Sequence, residues 1–249
     1  MKNILALFTI TGSLLIAGGD IEPVEPVVPD VVEGEEQSSW NYYASVYLFA
    51  AAMGGETAGG NDFDISFSDI IDNLDMTYMG NLGMHKDKWT FQTDLIYMKL
   101  GTKPGPILTN VQMKSWIVTP TVAYRVVDSG LWDLDVLAGA RYLYIAPYIS
   151  VVNNSVVDTS GSGWDGIVGL KANYELNEKW FMPCAFDIGT GDSDQTWQAF
   201  AGVGYKYENF DVIAGYRHLE WEFDNSDAGD GALNSLNISG PIIGIKYRF

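Results

Sequence analysis

The C-terminal stretch Leu236–Phe249, which reads LNISGPIIGIKYRF, alternates between two kinds of position. Counting back from the C-terminus, every second residue from Phe249 to Pro241 is apolar, whereas Arg248 and Lys246 occupy positions between them. Successive side chains of an extended strand point to opposite faces. The stretch therefore predicts a β-strand with one apolar face that ends in an aromatic residue.

The same alternation recurs in nine other segments of the chain. In the segment that begins at Trp164, this residue and Tyr174 bracket an apolar face, while Asp165 and Lys171 fall on the opposite face. Trp and Tyr at both ends of an apolar face are typical of strands that cross a membrane. The nine segments are approximately 40–50, 75–85, 89–100, 114–127, 131–146, 164–177, 179–189, 196–207 and 210–223.

The connections between these segments alternate between short and long. Short turns are predicted at 85–88, 128–130, 177–178 and 208–209, and long links at 54–74, 101–113, 147–163, 190–195 and 224–235. Membrane barrels place short turns on the periplasmic side and long loops outside, and closure leaves no unpaired strand edge in lipid. We expect an all-β, up-and-down antiparallel transmembrane β-barrel of ten strands, or eight if two weak segments fail, with both termini periplasmic.

One segment has helical rather than strand periodicity. Phe67, Ile70, Ile71 and Leu74 are spaced as on one face of a helix, and Ser66 with Asp69 forms a capping-box pattern. A short amphipathic helix is therefore predicted in the first external loop. It either folds over the barrel mouth as a lid or rests on the rim.

The N-terminal part has a different composition. Residues 1–19 have Lys2 as the only charge, an apolar run and small residues at the end, which is typical of a signal peptide. Residues 20–39 are acidic with prolines at 23, 26 and 29, which predicts an extended periplasmic tail. The barrel then comprises residues 40–249.

The composition excludes several functional classes. A formal net charge of −18 argues against nucleic-acid binding. The single cysteine, Cys184, cannot form an internal disulfide or a cysteine-rich metal site. Asp224, Asp227 and Asp230 are spaced by three and do not fit a calcium-binding EF-hand loop. No metal site and no cofactor are predicted.

Charged residues on the polar faces of the strands are predicted to form a network in the lumen. The acids are Asp94, Asp133, Asp135, Asp165, Glu175 and Asp187, and the bases are Arg125, Arg141, Lys171, Lys206, Arg217, Lys246 and Arg248. Such a balance suits either paired charges that fill the lumen or a polar path that selects among small solutes. Barrels of about eight strands are filled by side chains, whereas open channels need about 16 to 18. A narrow or occluded lumen is therefore expected.

Several stretches resemble small, mostly uncharacterised Gram-negative outer-membrane proteins with an OmpA/OmpW-like β-barrel domain. The resemblance covers roughly residues 40–249 and implies the fold but no reaction. It implies that Ile243, Ile245, Tyr247 and Phe249 form an assembly signal for the barrel-assembly machinery. The acidic segment 188–194 departs from the family pattern. The matching stretches are 67–75, 139–142, 164–170, 196–199, 202–205, 215–217 and 240–249.

These observations predict an integral outer-membrane protein of structural or narrow porin-like type. Its expected partners are outer-membrane lipid, lipopolysaccharide, the assembly machinery and small solutes, and we expect a monomer. One alternative is a surface-binding or adhesion barrel. Another is a hydrolase at the outer rim that acts on lipid or peptide and uses His218 with Glu220 and Glu222. Enzymatic activity is not favoured, because a histidine in an aromatic girdle explains His218 and no Gly-x-Ser-x-Gly motif is present.

Overall fold

The structure, a computed structural model, describes residues 39–57, 60, 62–102, 108–151, 155–158, 160–223 and 233–249. The predicted signal peptide and all but the last residue of the predicted acidic tail lie outside these ranges. Within the described residues, no helix is long and apolar enough to cross a membrane.

Ten antiparallel strands close into a barrel. They pair in chain order, and the last strand pairs with the first, with Tyr43 opposite Arg248 and Phe49 opposite Ile242. The predicted up-and-down barrel of ten strands is confirmed, and the alternative of eight is wrong. The barrel strands are β1 (Asn41–Phe49), β4 (Leu74–Lys86), β5 (Trp89–Thr102), β6 (Leu108–Asp128), β7 (Trp132–Val151), β9 (Gly161–Glu175), β10 (Trp180–Gly191), β11 (Gln195–Lys206), β12 (Phe210–Glu222) and β13 (Leu233–Arg248).

Three further strands, which the sequence did not predict, extend the sheet at one end of the barrel. They are β2 (Ala52–Thr57), β3 (Asp62–Ile65) and β8 (Ser155–Asp158). β2 pairs with β13 beyond the point where β1 ends, β3 pairs with β2, and β8 pairs with β7. The first long connection is therefore largely structured, as a hairpin followed by a helix.

The predicted helix is present but shorter than expected. Helix α1 comprises Phe67–Asp72, and the backbone N–H of Asp69 donates to the Ser66 Oγ at 3.2 Å, which satisfies one free donor of the first turn. The assignment of Leu74 to this helix is wrong. Leu74 begins β4 because it pairs with Leu100 of β5.

The two ends of the barrel differ in their connections. The end that carries Asn41 and Phe249, here called the terminal end, has only tight turns, and the opposite end, the loop end, carries the long connections. Asp87 and Gly130 adopt positive φ angles of 55° and 74° in two of these turns. In a third turn the Asn177 Oδ1 accepts backbone N–H groups at 2.9 Å.

The outer wall exposes apolar side chains on every second residue. Aromatic pairs border this band, with Trp89 on Tyr124 near the terminal end and Tyr142 on Trp164 towards the loop end. The predicted assembly residues all lie on this exposed face. Exposed members of the band include Val46, Leu48, Leu82, Phe91, Val168, Leu170, Phe186, Ile243, Ile245, Tyr247 and Phe249.

The interior is divided into two halves. The terminal half carries charged and polar side chains, whereas the loop half is filled by an apolar cluster, here called the apolar cap. Ile70 of α1 is buried in this cap, while Phe67 is exposed. The side chains of Ile71 and Leu74 lie outside the described residues. The cap comprises Phe49, Ala51, Met53, Ile70, Met79, Ile96, Met98, Leu100, Ile117, Leu143, Leu219, Trp221, Leu236 and Ile238.

Gly169 allows two barrel strands to approach closely. A Cβ at this position would lie 2.2 Å from the Phe186 carbonyl oxygen and 2.7 Å from the Asp187 Cα. These are backbone atoms that cannot move without displacing β10. A Cβ at Gly166, on the same strand, would have its nearest neighbour, the Thr190 carbonyl oxygen, at 3.9 Å.

We predict that Gly169→Ala lowers the free energy of unfolding by about 1–3 kcal/mol, because the added methyl group forces β9 and β10 apart. Gly166→Ala is the matched control and should change it by less than about 0.5 kcal/mol. Urea unfolding of the refolded protein in detergent micelles, followed by tryptophan fluorescence, measures both. Equal effects of the two substitutions would contradict the close approach at Gly169.

Candidate functional site

Arg217 joins three strands across the lumen. Its Nη1 lies 2.9 Å from the Asp94 Oδ2 and donates to the Tyr47 Oη at 3.1 Å. The Tyr47 hydroxyl in turn donates to the Asp94 Oδ1 at 2.8 Å. Arg217 lies on β12 and Asp94 on β5, four strand positions away around a ring of ten. The ion pair therefore spans most of the barrel's width.

The same guanidinium also begins a chain of hydrogen bonds along the wall. Nε and Nη2 of Arg217 donate to the Gln198 Oε1 at 2.9 and 2.5 Å, and the Gln198 Nε2 donates to the Asp187 Oδ2 at 3.1 Å. Arg141 then donates to the Asp187 Oδ1 at 2.5 Å and to the Thr196 Oγ1 at 3.0 Å. We call Tyr47, Asp94, Arg141, Asp187, Thr196, Gln198 and Arg217 the cross-lumen layer.

The two arginines and Asp187 of the cross-lumen layer are buried, which makes their pairing obligatory, while the Asp94 side chain is 14% exposed. Arg141 is 0% exposed, Asp187 3% and Arg217 6%. A charge removed from water is tolerated only when it is paired and hydrogen-bonded. Aromatic rings add to this environment, because the Arg141 guanidinium lies 5.8 Å from the Trp221 ring and that of Arg217 lies 6.0 Å from the Phe49 ring.

Charged pairs nearer the terminal end are more exposed. We call these the terminal-side pairs, and the side chains of their cations are between 34% and 39% exposed. Water therefore screens them more strongly than the cross-lumen layer. The pairs are Arg125 with Asp133 at 3.2 Å and Asp135 at 2.9 Å, Lys206 with Glu175 at 2.6 Å, and Arg248 with Asp211 at 2.5 Å.

The two remaining predicted cations lie between these groups. Lys171 donates to the Gln92 Oε1 at 2.6 Å, and Tyr43 donates to the same oxygen at 3.0 Å. The Lys246 Nζ lies 4.2 Å from the centre of the Tyr43 ring. Asp165 has a different role, because its Oδ1 accepts the backbone N–H of Ser193 at 2.9 Å and so holds the turn between β10 and β11.

The structure thus brings the predicted charged residues into contact as separate groups rather than one network. Sequence reasoning missed Asp211, which lies at the start of β12 and pairs with Arg248. With this residue the count becomes seven acids against seven bases. It also missed the uncharged Tyr47, Gln198 and Gln92, which carry the hydrogen bonds between charges, because only charged side chains were assigned to the lumen.

The apolar cap fills the interior on the loop side of the cross-lumen layer. Leu219 and Trp221 are 0% exposed, and Met53 and Leu236 are 1% exposed. Trp221 packs against the guanidinium of Arg141 and so joins the two layers. In the described part of the chain, an ion that entered past the terminal-side pairs would meet bonded polar groups and then packed apolar side chains.

The histidine considered for hydrolysis lies on the outer wall and not in the lumen. The His218 Nε2 is 3.0 Å from the Glu220 Oε2, and its ring centre is 4.5 Å from that of Trp197. Glu222 is exposed on the same face of β12. Among the described residues, no group of three or more His, Cys, Asp or Glu side chains is arranged to hold a metal ion.

Solved structures with a similar fold are outer-membrane β-barrels. The outer membrane protease OmpT from Escherichia coli is 12% identical, with a TM-score of 0.50 over 86% of this chain and 99% of its own. Neisserial surface protein A is 13% identical (TM-score 0.38, 86% and 100% covered), and Ail of Yersinia pestis is 12% identical (0.40, 85% and 99%). No family model and no curated protein matches the sequence. The chain therefore has the fold of small Gram-negative outer-membrane barrels.

We predict that Arg217→Met lowers the free energy of unfolding by about 3–5 kcal/mol, because it leaves the mostly buried Asp94 carboxylate, whose side chain is 14% exposed, without its cation. Lys206→Met is the matched control and should cost about 1 kcal/mol or less, since its pair with Glu175 is partly solvated. Urea titration in detergent micelles measures both values. A loss for Arg217→Met no larger than for Lys206→Met would contradict the proposed importance of the layer.

Proposed function

We propose that this protein is an integral outer-membrane barrel with a closed lumen, in which the barrel has a structural role and does not form an open channel. The observation that carries this proposal is the cross-lumen layer, whose side chains bond to each other across the interior. An aqueous channel would instead need polar groups that face water. Side chains that bond each other and lie beneath an apolar cap support closure.

The membrane location is supported by the outer wall. Exposed apolar side chains such as Val46, Leu82 and Val168 would be unfavourable in water over so large a continuous surface. The same surface, with aromatic side chains at both borders, matches a hydrocarbon band about 25 Å tall. Each of the ten strands also pairs with a neighbour on both sides, so the described ring has no open edge, which lipid requires.

The orientation that we propose places the terminal end in the periplasm. Outer-membrane barrels have short periplasmic turns and longer external loops. The tight turns near Asp87, Gly130 and Asn177 all lie at the end that carries Asn41 and Phe249. The sequence-based prediction of a periplasmic tail at residues 20–39, directly before the first strand, agrees with this orientation. In it, the exposed Phe249 remains available to the assembly machinery.

We predict that the refolded protein gives no discrete conductance steps in a planar lipid bilayer, because the lumen is blocked at mid-height. An open general porin refolded in the same detergent serves as the positive control. Recording at both polarities and in 1 M salt would reveal a narrow pore. Reproducible single-channel steps from the wild-type protein would overturn the structural proposal in favour of the narrow channel.

We predict that protease added to intact cells leaves the turn at Asn177–Glu178 uncut and cuts only at the loop end. The control is the same protease added after the outer membrane is permeabilised, when terminal-end turns become reachable. Mass spectrometry of the fragments identifies the cut positions. Cleavage at Asn177–Glu178 from outside would invert the proposed orientation.

A further inference from the structure

Four polar side chains form a compact block on the outer wall at the loop end of β12 and β13. In the strand register His218 lies opposite Ser239, and Glu220 lies opposite Asn237. All four share the outward face, because the intervening Leu219 and Ile238 are buried inside, as are Trp221 and Leu236. We propose that this block is an esterase site that hydrolyses an ester-linked acyl chain of a membrane lipid.

The base of this site is held in a fixed orientation. The His218 Nε2 bonds to the Glu220 carboxylate at 3.0 Å, and the ring lies against Trp197. Glu220 therefore acts as the orienting carboxylate, and the Nδ1 of His218 becomes the proton acceptor. A histidine bonded to a carboxylate on one ring nitrogen is the arrangement that activates a hydroxyl nucleophile.

The nucleophile is Ser239, which faces His218 across the ladder. Directly opposite residues in an antiparallel pair have Cβ atoms about 4.5–5.5 Å apart, within reach of a serine-to-imidazole hydrogen bond. Asn237 lies two residues along the same strand and the same face. Its side-chain amide can donate to the oxygen that becomes negatively charged as the carbonyl carbon is attacked.

Ser239 and Asn237 open onto a cavity of about 530 Å³. The cavity size falls within the range of small-molecule sites. Small residues of the adjacent strand β2 create the space. Ala52 of β2 pairs with Ser239, and Gly54 of β2 pairs with Asn237. Hairpin β2–β3 forms one side of this cavity and lines it with Glu56, Asp62 and Asp64, so the cavity suits the polar part of the ester and not its acyl chain.

The position of the block indicates a lipid substrate. Trp197 and Tyr216 flank His218 on the outer wall and belong to the loop-end aromatic border. Such borders lie at the level of lipid headgroups, where ester groups join the acyl chains. This step rests on the membrane location proposed above, but the chemistry of the four side chains does not depend on the state of the lumen.

The proposed reaction is acyl transfer to water in two steps. Ser239 Oγ loses its proton to His218 and bonds to the ester carbonyl carbon, and the alkoxy leaving group departs with the proton from His218. Water then loses a proton to His218 and attacks the acyl-serine, and the Ser239 oxygen regains a proton as the fatty acid leaves. The products are one alcohol and one carboxylic acid, with no oxidant or reductant required.

The first test uses the full chain refolded in detergent with p-nitrophenyl octanoate. We expect ester hydrolysis, and a fall in rate of about 100-fold or more for Ser239→Ala and for His218→Gln. Ser162→Ala is the matched control, because Ser162 is an exposed serine at the loop end of β9 and lies outside both the block and the cavity. It should leave the rate unchanged. A fluorophosphonate probe should label Ser239 in the wild-type protein and not in His218→Gln.

The second test distinguishes the lipid source. Fatty-acid release is measured from vesicles of phosphatidylethanolamine and from lipopolysaccharide, with heat-modifiable gel mobility confirming that each variant is folded. Release from either one that requires Ser239 identifies the substrate class. Hydrolysis of the small ester without release from either lipid overturns the lipid assignment. A wild-type rate equal to that of Ser239→Ala overturns the site itself, whatever the bilayer recordings show.

Discussion

The ion pair between Arg217 and Asp94 is the interaction on which the interior depends. It connects opposite sides of the barrel and shares the hydroxyl of Tyr47, so three distant strands meet at one point. Because the Arg217 side chain is only 7% exposed and that of Asp94 14%, either charge alone would carry a desolvation cost of several kcal/mol. The pair thus constrains the barrel cross-section, since strands that moved apart would separate the charges. Gln198 and Asp187 extend that constraint to Arg141 on the opposite wall.

The cross-lumen layer separates two halves of the lumen that differ in polarity. Towards the terminal end, pairs such as Lys206 with Glu175 remain partly exposed, which suits a vestibule open to water. Towards the loop end, packed apolar side chains replace water, and Ile70 of α1 contributes to this packing from outside the barrel strands. With the closed lumen that we propose, the outer wall remains the surface available for chemistry. The esterase site that we propose at His218 and Ser239 lies on this outer wall.

The strands and the faces of their side chains could be predicted from period-two alternation. In a closed sheet in lipid, each side chain points either to the lipid or to the lumen. That rule placed Asp94, Arg141 and Arg217 inside before any partner was known. It could not choose their partners, since contacts across the lumen depend on the stagger between strands. Because the stagger between β12 and β13 was also unknown, the sequence could not show that Ser239 lies opposite His218. The apolar cap was not predicted, although Ile96, Met98 and Leu100 of β5 share the inward face by the same alternation.

A double-mutant cycle between Arg217 and Asp94 tests the central claim most directly. Arg217→Met, Asp94→Asn and the double variant are unfolded by urea in the same micelles, and the coupling energy is obtained from the three free-energy changes and the wild type. The account predicts a favourable coupling of about 1–3 kcal/mol, since the two side chains touch across the lumen. Effects that add to within about 0.5 kcal/mol would show that the charges do not interact, and would contradict the cross-lumen closure.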